Sequence, residues 1–331
     1  MALGIMMEDL FHRRITYVRL SVTDRCNFRC VYCMSEKMQF LPKQAVLSLE
    51  ELYEVACTFV SLGVTKIRIT GGEPLVRNGL TDWIKQVRQI EGLETLALTT
   101  NGALLTEYAP ALKAAGLNSL NVSLDSLESA RFQRITRTGS LMLVLAGIDA
   151  ALAEGLSVKI NVVVMRGYND DEILNLVAFA LEKKIDCTFI EEMPLGNITE
   201  HDRGLSFLSN DEVLNQIQTY YPFEPVDYSS GGPARYYQMA GSPIKIGLIS
   251  PHSHNFCSTC NRVRLTAEGR LLLCLGNEQG IDLKYILRAP SYQRQELQQA
   301  IVGAMAIKPK QHEFNVWGEP QIVRFMNMTG G

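Results

Sequence analysis

Hydrophobic and polar residues follow two different periods along the first two-thirds of the chain. Short apolar segments with period two predict strands, and longer amphipathic segments between them predict helices. The predicted strands span residues 16–22, 66–70, 95–100, 119–124, 158–165 and 187–193. The predicted helices span residues 49–62, 82–90, 107–115, 141–153 and 172–183. Repeating βα units of this kind indicate a parallel sheet with helical crossovers.

Polar residues recur on one face of several predicted strands. Lys159 and Asn161 oppose an apolar face in 158–165, and Asn121, Arg68 and Arg19 do so in the earlier strands. A doubly wound sheet buries both faces, so its strands would be almost continuously apolar. A recurrent polar face indicates a lumen that holds a polar ligand. We therefore expect an α/β fold with a partial (β/α)6 barrel of the TIM type.

The pattern changes after residue 220. The segment 227–235, DYSSGGPAR, is rich in turn-forming residues and indicates a boundary. The remainder contains short strand-like segments and helical segments around 283–287 and 293–305. We expect a barrel core over residues 1–230 and a smaller α+β region over 231–331 that closes the open side of the barrel.

Composition and charge narrow the class of protein. Of the 331 residues, 47% are hydrophobic and 20% are charged, which is enough to bury a sizeable core. The net charge of −3 and the pI near 6.0 argue against non-specific binding to nucleic acid or to a membrane surface. The first residues show no signal-peptide cleavage pattern, and no apolar segment approaches the length of a membrane span. These features predict a cytoplasmic protein.

Eight cysteines are many for a protein of a reducing compartment, where clustered cysteines are usually metal ligands or catalysts rather than disulfides. Six of them form two groups. We interpret the other two, Cys57 and Cys187, as small buried hydrophobic residues because their surroundings are apolar.

The first group consists of Cys26, Cys30 and Cys33, in the loop that follows the first predicted strand. Three thiolates can hold three irons of a four-iron, four-sulfur (4Fe-4S) cluster and leave the fourth iron open to a ligand. A zinc site and a plain electron-transfer cluster are the alternatives. Zinc would need a fourth ligand, and no histidine follows His12 in this part of the chain.

The second group consists of Cys257, Cys260 and Cys274. Zinc is a serious alternative here, since His252 or His254 could complete a tetrahedral site. A second cluster with an open iron becomes the favoured interpretation once the first group is taken as a cluster.

The spacing of the first group, C-x3-C-x2-C, resembles that of the radical S-adenosylmethionine (SAM) superfamily. The segment Thr70-Gly71-Gly72-Glu73-Pro74 after the second predicted strand is similar to the superfamily's GGEP motif, which binds the amino group of the cofactor's methionine part. Glycines let the backbone approach a ligand closely, and a glutamate can accept from a cationic amine. The resemblance implies that Tyr32 lies against adenine.

The segment FCSTCNRVRL at 256–265 resembles the signature of the GTP 3',8-cyclase family of molybdenum cofactor biosynthesis. The resemblance extends over RLSVTDRCNFRCVYC, ITGGEPLVR, LTTNG, VSLDS and the final Gly-Gly. It implies a radical SAM lyase with two 4Fe-4S clusters that forms a 5'-deoxyadenosyl radical. That radical takes hydrogen from carbon 3' of GTP, and the sugar radical attacks carbon 8 of guanine to give 3',8-cyclo-7,8-dihydro-GTP.

The resemblance also assigns roles to residues of this sequence. The implied GTP contacts are Arg19, Arg68, Thr99, Lys159, Arg262 and Arg264. The implied SAM contacts are Tyr32, Gly71, Gly72, Glu73, Ser123 and Met193, and the implied catalytic tail is Gly330 and Gly331. The six grouped cysteines are the implied cluster ligands, and the open iron of the second cluster is expected to anchor guanine.

The partners implied by the resemblance are an external one-electron reductant of the flavodoxin or ferredoxin type and a companion cyclic pyranopterin monophosphate synthase that acts on the product. A homodimer is expected on the same ground. Two other functions stay open at this point: a radical SAM enzyme that modifies peptides with an auxiliary cluster, and a non-enzymatic zinc-binding protein.

Overall fold

The computed structural model describes residues 7–198, 200–318 and 322–330. Its strands are β1 Tyr17–Ser21, β2 Lys66–Thr70, β3 Thr95–Thr100, β4 Ser119–Ser123, β5 Ser157–Val164, β6 Asp186–Glu191, β7 Phe223–Pro225, β8 Arg235–Met239, β9 Lys245–Ile249, β10 Arg262–Leu265, β11 Arg270–Leu272 and β12 Gly280–Asp282. Its helices are α1 Leu49–Ser61, α2 Leu80–Arg88, α3 Leu105–Ala114, α4 Ser129–Thr136, α5 Leu141–Ala153, α6 Ile173–Lys183, α7 Arg203–Ser206, α8 Asn210–Tyr220, α9 Leu283–Leu287, α10 Arg294–Ala304 and α11 Met326–Thr329.

Among the described residues, no single helix is long and apolar enough to cross a membrane, and α4 with α5 meets that test only as a pair bent by 98°.

All twelve strands belong to one sheet in the order β12-β11-β10-β1-β2-β3-β4-β5-β6-β9-β8-β7. Strands β1 to β6 are parallel neighbours in chain order, as the βα pattern predicts. Strands β10 and β9 continue the sheet in parallel beside β1 and β6. Strands β12 and β7 form the two edges of the sheet and do not pair with each other in the described structure, so the barrel is open. The expected partial barrel is confirmed, and the division at residue 230 stays a prediction.

The predicted bounds of the six strands and five helices agree with the structure to within two residues at each end. Helices α4, α7, α8 and α11 are not among the predicted elements, and α7 and α11 have only four residues each. Helix α4 has only eight residues, and α8 buries only Asn210, Val213 and Ile217, so the apolar pattern of both is weak. A capping box between Ser209 and Glu212 fixes the start of α8. Ser209 and Glu212 are therefore the sequence signal that indicates the start of α8.

The two faces of β5 have different surroundings. Val158, Ile160, Val162 and Val164 are buried in the hydrophobic core, which also contains apolar residues of the surrounding helices. Lys159 lies on the opposite face and is only partly buried. The polar face of the barrel strands is therefore turned away from the helices and is available for a ligand.

Gly147 allows α5 to pack closely on the loop that precedes α3. A Cβ atom at Gly147 would lie 2.3 Å from the backbone oxygen of Gly102 and 2.9 Å from the Cβ atom of Leu105. A backbone oxygen cannot yield as a flexible side chain can, so this position excludes any larger residue.

We predict that Gly147→Ala lowers the free energy of unfolding by about 1–3 kcal/mol, because it overpacks the contact between α5 and the backbone. Gly303 in α10 is the matched control, since a Cβ atom there would meet nothing within 4 Å. Gly303→Ala should raise stability by up to about 1 kcal/mol through helix propensity alone. Urea unfolding of both variants, followed by circular dichroism, measures the difference. Equal stability of the two would contradict the packing argument.

Candidate active site

Two adjoining cavities lie along the polar face of the barrel strands. The first has a volume of about 1180 Å³ and contains the first cysteine group. The second has a volume of about 1040 Å³ and contains the second cysteine group. Five residues line both cavities: Asn161, Ile190, Met193, Arg264 and Leu275. The two predicted cysteine sites therefore lie in adjoining cavities that share these five residues.

The three cysteines of the first group line the first cavity beside the carboxyl end of β1. Burial, followed by the nearby carboxylate of Glu73, raises the pKa of Cys26 to about 11. Burial and the neighbouring thiol of Cys33 raise the pKa of Cys30 well above its usual value. Burial and Cys26 raise the pKa of Cys33 as well. Without a bound cation, these thiols are protonated at neutral pH, so a cationic cluster would have to displace their protons.

Gly71 and Gly72 allow the loop after β2 to lie directly against the loop that leads to Cys26. A Cβ atom at Gly72 would lie 2.4 Å from the backbone oxygen of Arg25, and one at Gly71 would lie 2.4 Å from that of Thr23. The backbone N–H of Gly72 donates to Thr23 at 2.9 Å. Both glycines also line the first cavity, as the predicted cofactor role requires.

Glu73 occupies a different position from the one expected for a direct contact. It is fully buried and is absent from the lining of either cavity. Its carboxylate accepts from the Leu75 N–H at 3.0 Å, from the Thr100 hydroxyl at 2.8 Å and from the Asn101 N–H at 2.6 Å. Burial raises the pKa of Glu73 to about 7 despite these hydrogen bonds. Glu73 therefore joins the ends of β2 and β3, and its contact with an amine stays a prediction.

The remaining predicted SAM contacts, Tyr32, Ser123 and Met193, all line the first cavity. The hydroxyl of Tyr32 donates to the carboxylate of Asp125 at 2.8 Å. Asp125 also accepts from the Val163 N–H at 2.9 Å, and burial raises its pKa to about 6. The sequence analysis did not single out Asp125, although it follows β4 within the quoted motif VSLDS.

The second cavity is strongly cationic. Its lining includes six basic residues, Arg19, Lys66, Arg68, Lys159, Arg262 and Arg264, and no aspartate or glutamate of the described chain. Burial, and then the charge of Arg68, lowers the pKa of Lys159 to about 8. Burial also lowers the pKa of Arg19 to about 10. Burial is the largest cause of both depressed pKa values, and a polyanionic ligand would oppose it by favouring the charged forms.

Five of the six predicted GTP contacts, all except Thr99, line this second cavity. Thr99 lines the first cavity instead, and its hydroxyl accepts from Nη1 of Arg68 at 3.3 Å. Arg264 lies at the junction, since it lines both cavities.

Buried cations surround the second cysteine group. Arg13 donates to the backbone oxygen of Cys257 at 2.7 Å, and Nζ of Lys308 lies 3.7 Å from Sγ of Cys260. Arg324 donates to the backbone oxygen of Cys274 at 3.4 Å. Burial opposes ionisation of Cys260, but Arg262 and Lys308 outweigh it and hold the pKa of Cys260 below its usual value. Cys260 is thus prepared to bind a metal as thiolate, whereas burial raises the pKa of Cys274.

The histidines that could complete a zinc site are engaged elsewhere. Nε2 of His252 lies 3.0 Å from the backbone oxygen of Glu192, and Nε2 of His254 lies 2.7 Å from the carboxylate of Asp211. In the described part of the chain, no three His, Cys, Asp or Glu side chains converge closely enough to hold a single metal ion. A cubane cluster spaces its thiolate ligands more widely than one ion does, so both groups fit a cluster better than zinc.

The C-terminal tail reaches the junction of the two cavities. The backbone oxygen of Gly330 accepts from Nη1 of Arg264 at 2.8 Å. Gly330 has a φ of +66°, and a Cβ atom there would lie 2.1 Å from Oγ1 of Thr70. Only glycine fits this position. Gly331, the other predicted catalytic residue, lies outside the described residues.

Several residues that line the second cavity are not among the predicted site residues. Tyr17 and Lys66 lie two residues before Arg19 and Arg68 on the same strand faces, so period-two alternation could have found them. The segment 227–235 was interpreted only as a boundary. Its Ser230 lines the cavity, and the backbone oxygen of Ser230 accepts from Nζ of Lys66 at 2.5 Å. No short sequence pattern indicates that contact. Of the two isolated cysteines, Cys187 is buried as expected, whereas Cys57 is only partly buried.

The donor sets fit two clusters and a SAM-sized ligand. Each cavity has three thiols on its wall, and the first also has the glycine cradle. Oγ1 of Thr70 and Nε of Arg19 are buried and have no hydrogen-bond partner among the described residues. Unpaired buried polar atoms are costly, and a bound ligand would satisfy them. A partial barrel with a three-cysteine loop after its first strand and a glycine pair after its second defines a protein of the radical SAM class.

Comparison with known proteins identifies the family. Residues 20–180 match the Radical SAM superfamily, and residues 185–314 match Molybdenum Cofactor Synthesis C. A GTP 3',8-cyclase of Pseudomonas entomophila (strain L48) is 57% identical over 98% of both chains. One of Marinobacter nauticus is 55% identical over 98% of both chains. The chain belongs to the GTP 3',8-cyclase family.

The fold is also similar to a solved structure. The crystal structure of Streptococcus suis SuiB bound to S-adenosylmethionine aligns with a TM-score of 0.63 at 14% identity. The alignment covers 95% of this chain and 77% of that one. At this identity the likeness concerns the fold alone.

We predict that Gly72→Ala releases the iron of the first group and leaves that of the second. The new Cβ atom would displace the backbone of Arg25, next to Cys26. Iron analysis of anaerobically reconstituted protein should then fall to about half of the unmodified value, with Gly303→Ala as the control that retains all of it. Full iron content in Gly72→Ala would contradict the close approach of the two loops.

Proposed function

We propose that this chain catalyses the SAM-dependent cyclisation of GTP to (8S)-3',8-cyclo-7,8-dihydroguanosine 5'-triphosphate, the first step of molybdenum cofactor biosynthesis. One observation carries the proposal. A cavity with six basic side chains and no described acidic one adjoins a cavity that combines the first cysteine group with the glycine cradle. A triphosphate is the kind of ligand that satisfies such a charge imbalance.

Within this proposal, the cations of the second cavity bind the substrate. Arg19, Arg68 and Lys159 project from the polar strand faces and neutralise phosphate oxygens. Arg262 and Arg264 act from β10, and the adjacent Cys257, Cys260 and Cys274 hold the cluster that anchors guanine. Thr99 acts through its hydrogen bond with Arg68 and reaches substrate at the border of the first cavity.

Cys26, Cys30 and Cys33 hold the other cluster in the first cavity. When bound, this cluster supplies the electron that cleaves SAM, and SAM supplies the group that removes hydrogen from the substrate. Gly71 and Gly72 give the methionine part of SAM access to the backbone. Tyr32, Ser123 and Met193 orient the rest of it, and Glu73 fixes the loop from behind. The protein's own contribution is orientation and exclusion of water from the cavities.

The tail completes the junction. Gly330 lies against Thr70 and is held by Arg264, which lines both cavities. Gly330 and Gly331 act in catalysis by fixing Arg264 in the orientation that the reaction needs.

Partners and organisation complete the proposal. An external one-electron reductant of the flavodoxin or ferredoxin type feeds the first cluster, and a cyclic pyranopterin monophosphate synthase uses the product. The protein acts in the cytoplasm as a homodimer, with a core over 1–230 and a cluster-bearing region over 231–331.

The decisive experiment combines anaerobically reconstituted protein with dithionite, SAM and GTP, followed by mass analysis. We expect 5'-deoxyadenosine together with an isomer of GTP. Replacing all three cysteines of the first group with alanine should abolish both products. Replacing those of the second group should abolish the GTP isomer and leave SAM cleavage, because that group contacts only the substrate cavity.

Two results would contradict the proposal. Formation of 5'-deoxyadenosine without a GTP isomer would show that the protein performs radical chemistry but acts on another substrate, for example a peptide. Zinc in place of iron, with neither product, would support a non-enzymatic zinc protein.

We further predict that removal of Gly330 and Gly331 lowers cyclisation at least about a hundredfold, since the loss of an orienting contact can cost that much. Iron content should stay unchanged, because the hydrogen bonds of Gly330 join it to Met326 and Arg264 rather than to a cysteine. Unchanged turnover of the truncated protein would exclude a catalytic tail.

A further inference from the structure

The hydroxyl oxygen of Tyr17 is an acceptor that two cations of the second cavity share. Tyr17 lies at the start of β1, is 3% exposed and lines the cavity. Nε of Arg68 donates to its hydroxyl oxygen at 2.8 Å, and Nη1 of Arg19 donates to the same oxygen at 3.5 Å. Nζ of Lys66 lies 5.1 Å from the centre of its ring.

The register of the sheet places Tyr17 in the middle of the cationic face. Tyr17 is level with Lys66 on β2 and with Arg262 on β10. The next residue on this face, Arg19, is level with Arg68 and Arg264. The charged groups that face the phenol are therefore all positive, and Lys159 adds another. Burial alone would raise the pKa of Tyr17, but Arg68, Arg19 and Lys66 outweigh it and lower the pKa to about 6.

The contacts of Arg68 show what the phenol does. Nε of Arg68 is bound by Tyr17, and Nη1 is bound by the Leu98 oxygen and the Thr99 hydroxyl. Two of its three nitrogens are thus fixed by the protein, so the orientation of the guanidinium plane is set before a ligand arrives. Nε of Arg19 is buried and has no hydrogen-bond partner in the described ranges, which points to a ligand at that atom.

We propose that Tyr17 is a positioning residue for phosphate recognition, whose hydroxyl oxygen holds Arg68 and Arg19 in the orientation that binds the triphosphate. This rests on the proposed function. Without this oxygen, Nε of Arg68 and Nη1 of Arg19 lose their shared acceptor, and the two guanidinium groups repel each other without a group that fixes their relative orientation. Ligand binding then has to order them, which weakens affinity for the phosphates and not for guanine.

The test is Tyr17→Phe in anaerobically reconstituted protein with both clusters. Phenylalanine keeps the ring beneath Lys66 and removes only the acceptor. We expect the Kd and KM for GTP to rise about tenfold, in keeping with the loss of a hydrogen bond to a charged group. The kcat and the affinity for guanosine should each change less than about twofold. Tyr292→Phe is the matched control, because it removes a hydroxyl that donates to Glu54 at 2.6 Å, far from both cavities.

A double-mutant cycle tests whether Tyr17 acts through Arg68. Tyr17→Phe should cost about tenfold in GTP affinity in the unmodified protein and less than about threefold in an Arg68→Met background. Equal costs in the two backgrounds would overturn the positioning role.

The outcomes for this role and for the proposed function are separable. Unchanged GTP affinity in Tyr17→Phe, with normal binding by the unmodified protein, would overturn the role of Tyr17 alone. Equal losses for GTP and guanosine would also overturn it, since the effect would then be general. Failure of the unmodified protein to bind GTP would overturn the proposed function together with this role.

Discussion

The two-sided parallel pairing of β1 is the constraint on which the rest of the site depends. Its register with β2 and β10 places Lys66, Tyr17 and Arg262 in one row. Arg68, Arg19 and Arg264 form the next row on the same face. A slip of one residue on any of these strands would turn its charged side chains from the cavity into the helical layer. The buried faces of these strands, Val18, Ile67 and Val263 among them, therefore fix the site by fixing the register.

That arrangement concentrates positive charge at a cost in stability. Arg264 is buried beside Arg19 and Arg262, and burial followed by these neighbours lowers its pKa well below the usual value. The first cavity differs, since three carboxylates, those of Asp125, Glu191 and Glu192, line it together with Arg264. A cationic ligand such as the sulfonium of SAM suits the first cavity, and a polyanion suits the second. The two charge patterns explain why two chemically different ligands would occupy adjoining spaces in a fixed order.

Much of this could be predicted from the sequence because the signals were local. The strand bounds follow from period-two alternation, and the cysteine loops follow from spacing. Contacts between distant segments could not be predicted in this way. The bond from Lys66 to Ser230 joins residues 164 positions apart, and together with the bond from Asn261 to Gly231 it holds the loop 227–235 against the cavity. Glu73 shows that a motif does not fix the direction of a side chain. The motif predicts that Glu73 contacts a ligand. In the structure, three hydrogen bonds from Leu75, Thr100 and Asn101 direct its carboxylate into the protein.

The length of β1 also sets the distance over which the two cysteine groups have to cooperate. Cys257 and Cys260 precede β10, which starts level with Tyr17, and Cys274 returns to the same end after the antiparallel strand β11. The first group follows Ser21 at the other end of β1. Four residue steps of a strand correspond to about 13 Å, too far for the two groups to act on one atom directly. A substrate held at one end must therefore extend along β1 to be reached from the other. Arg264 lies beside this path and binds Gly330, so the tail lies where the two ligands would meet. The close contact of Gly330 with Thr70 leaves no room for a side chain there, because an added Cβ atom would overlap the side chain of Thr70 and lie 2.8 Å from the backbone nitrogen of Gly71.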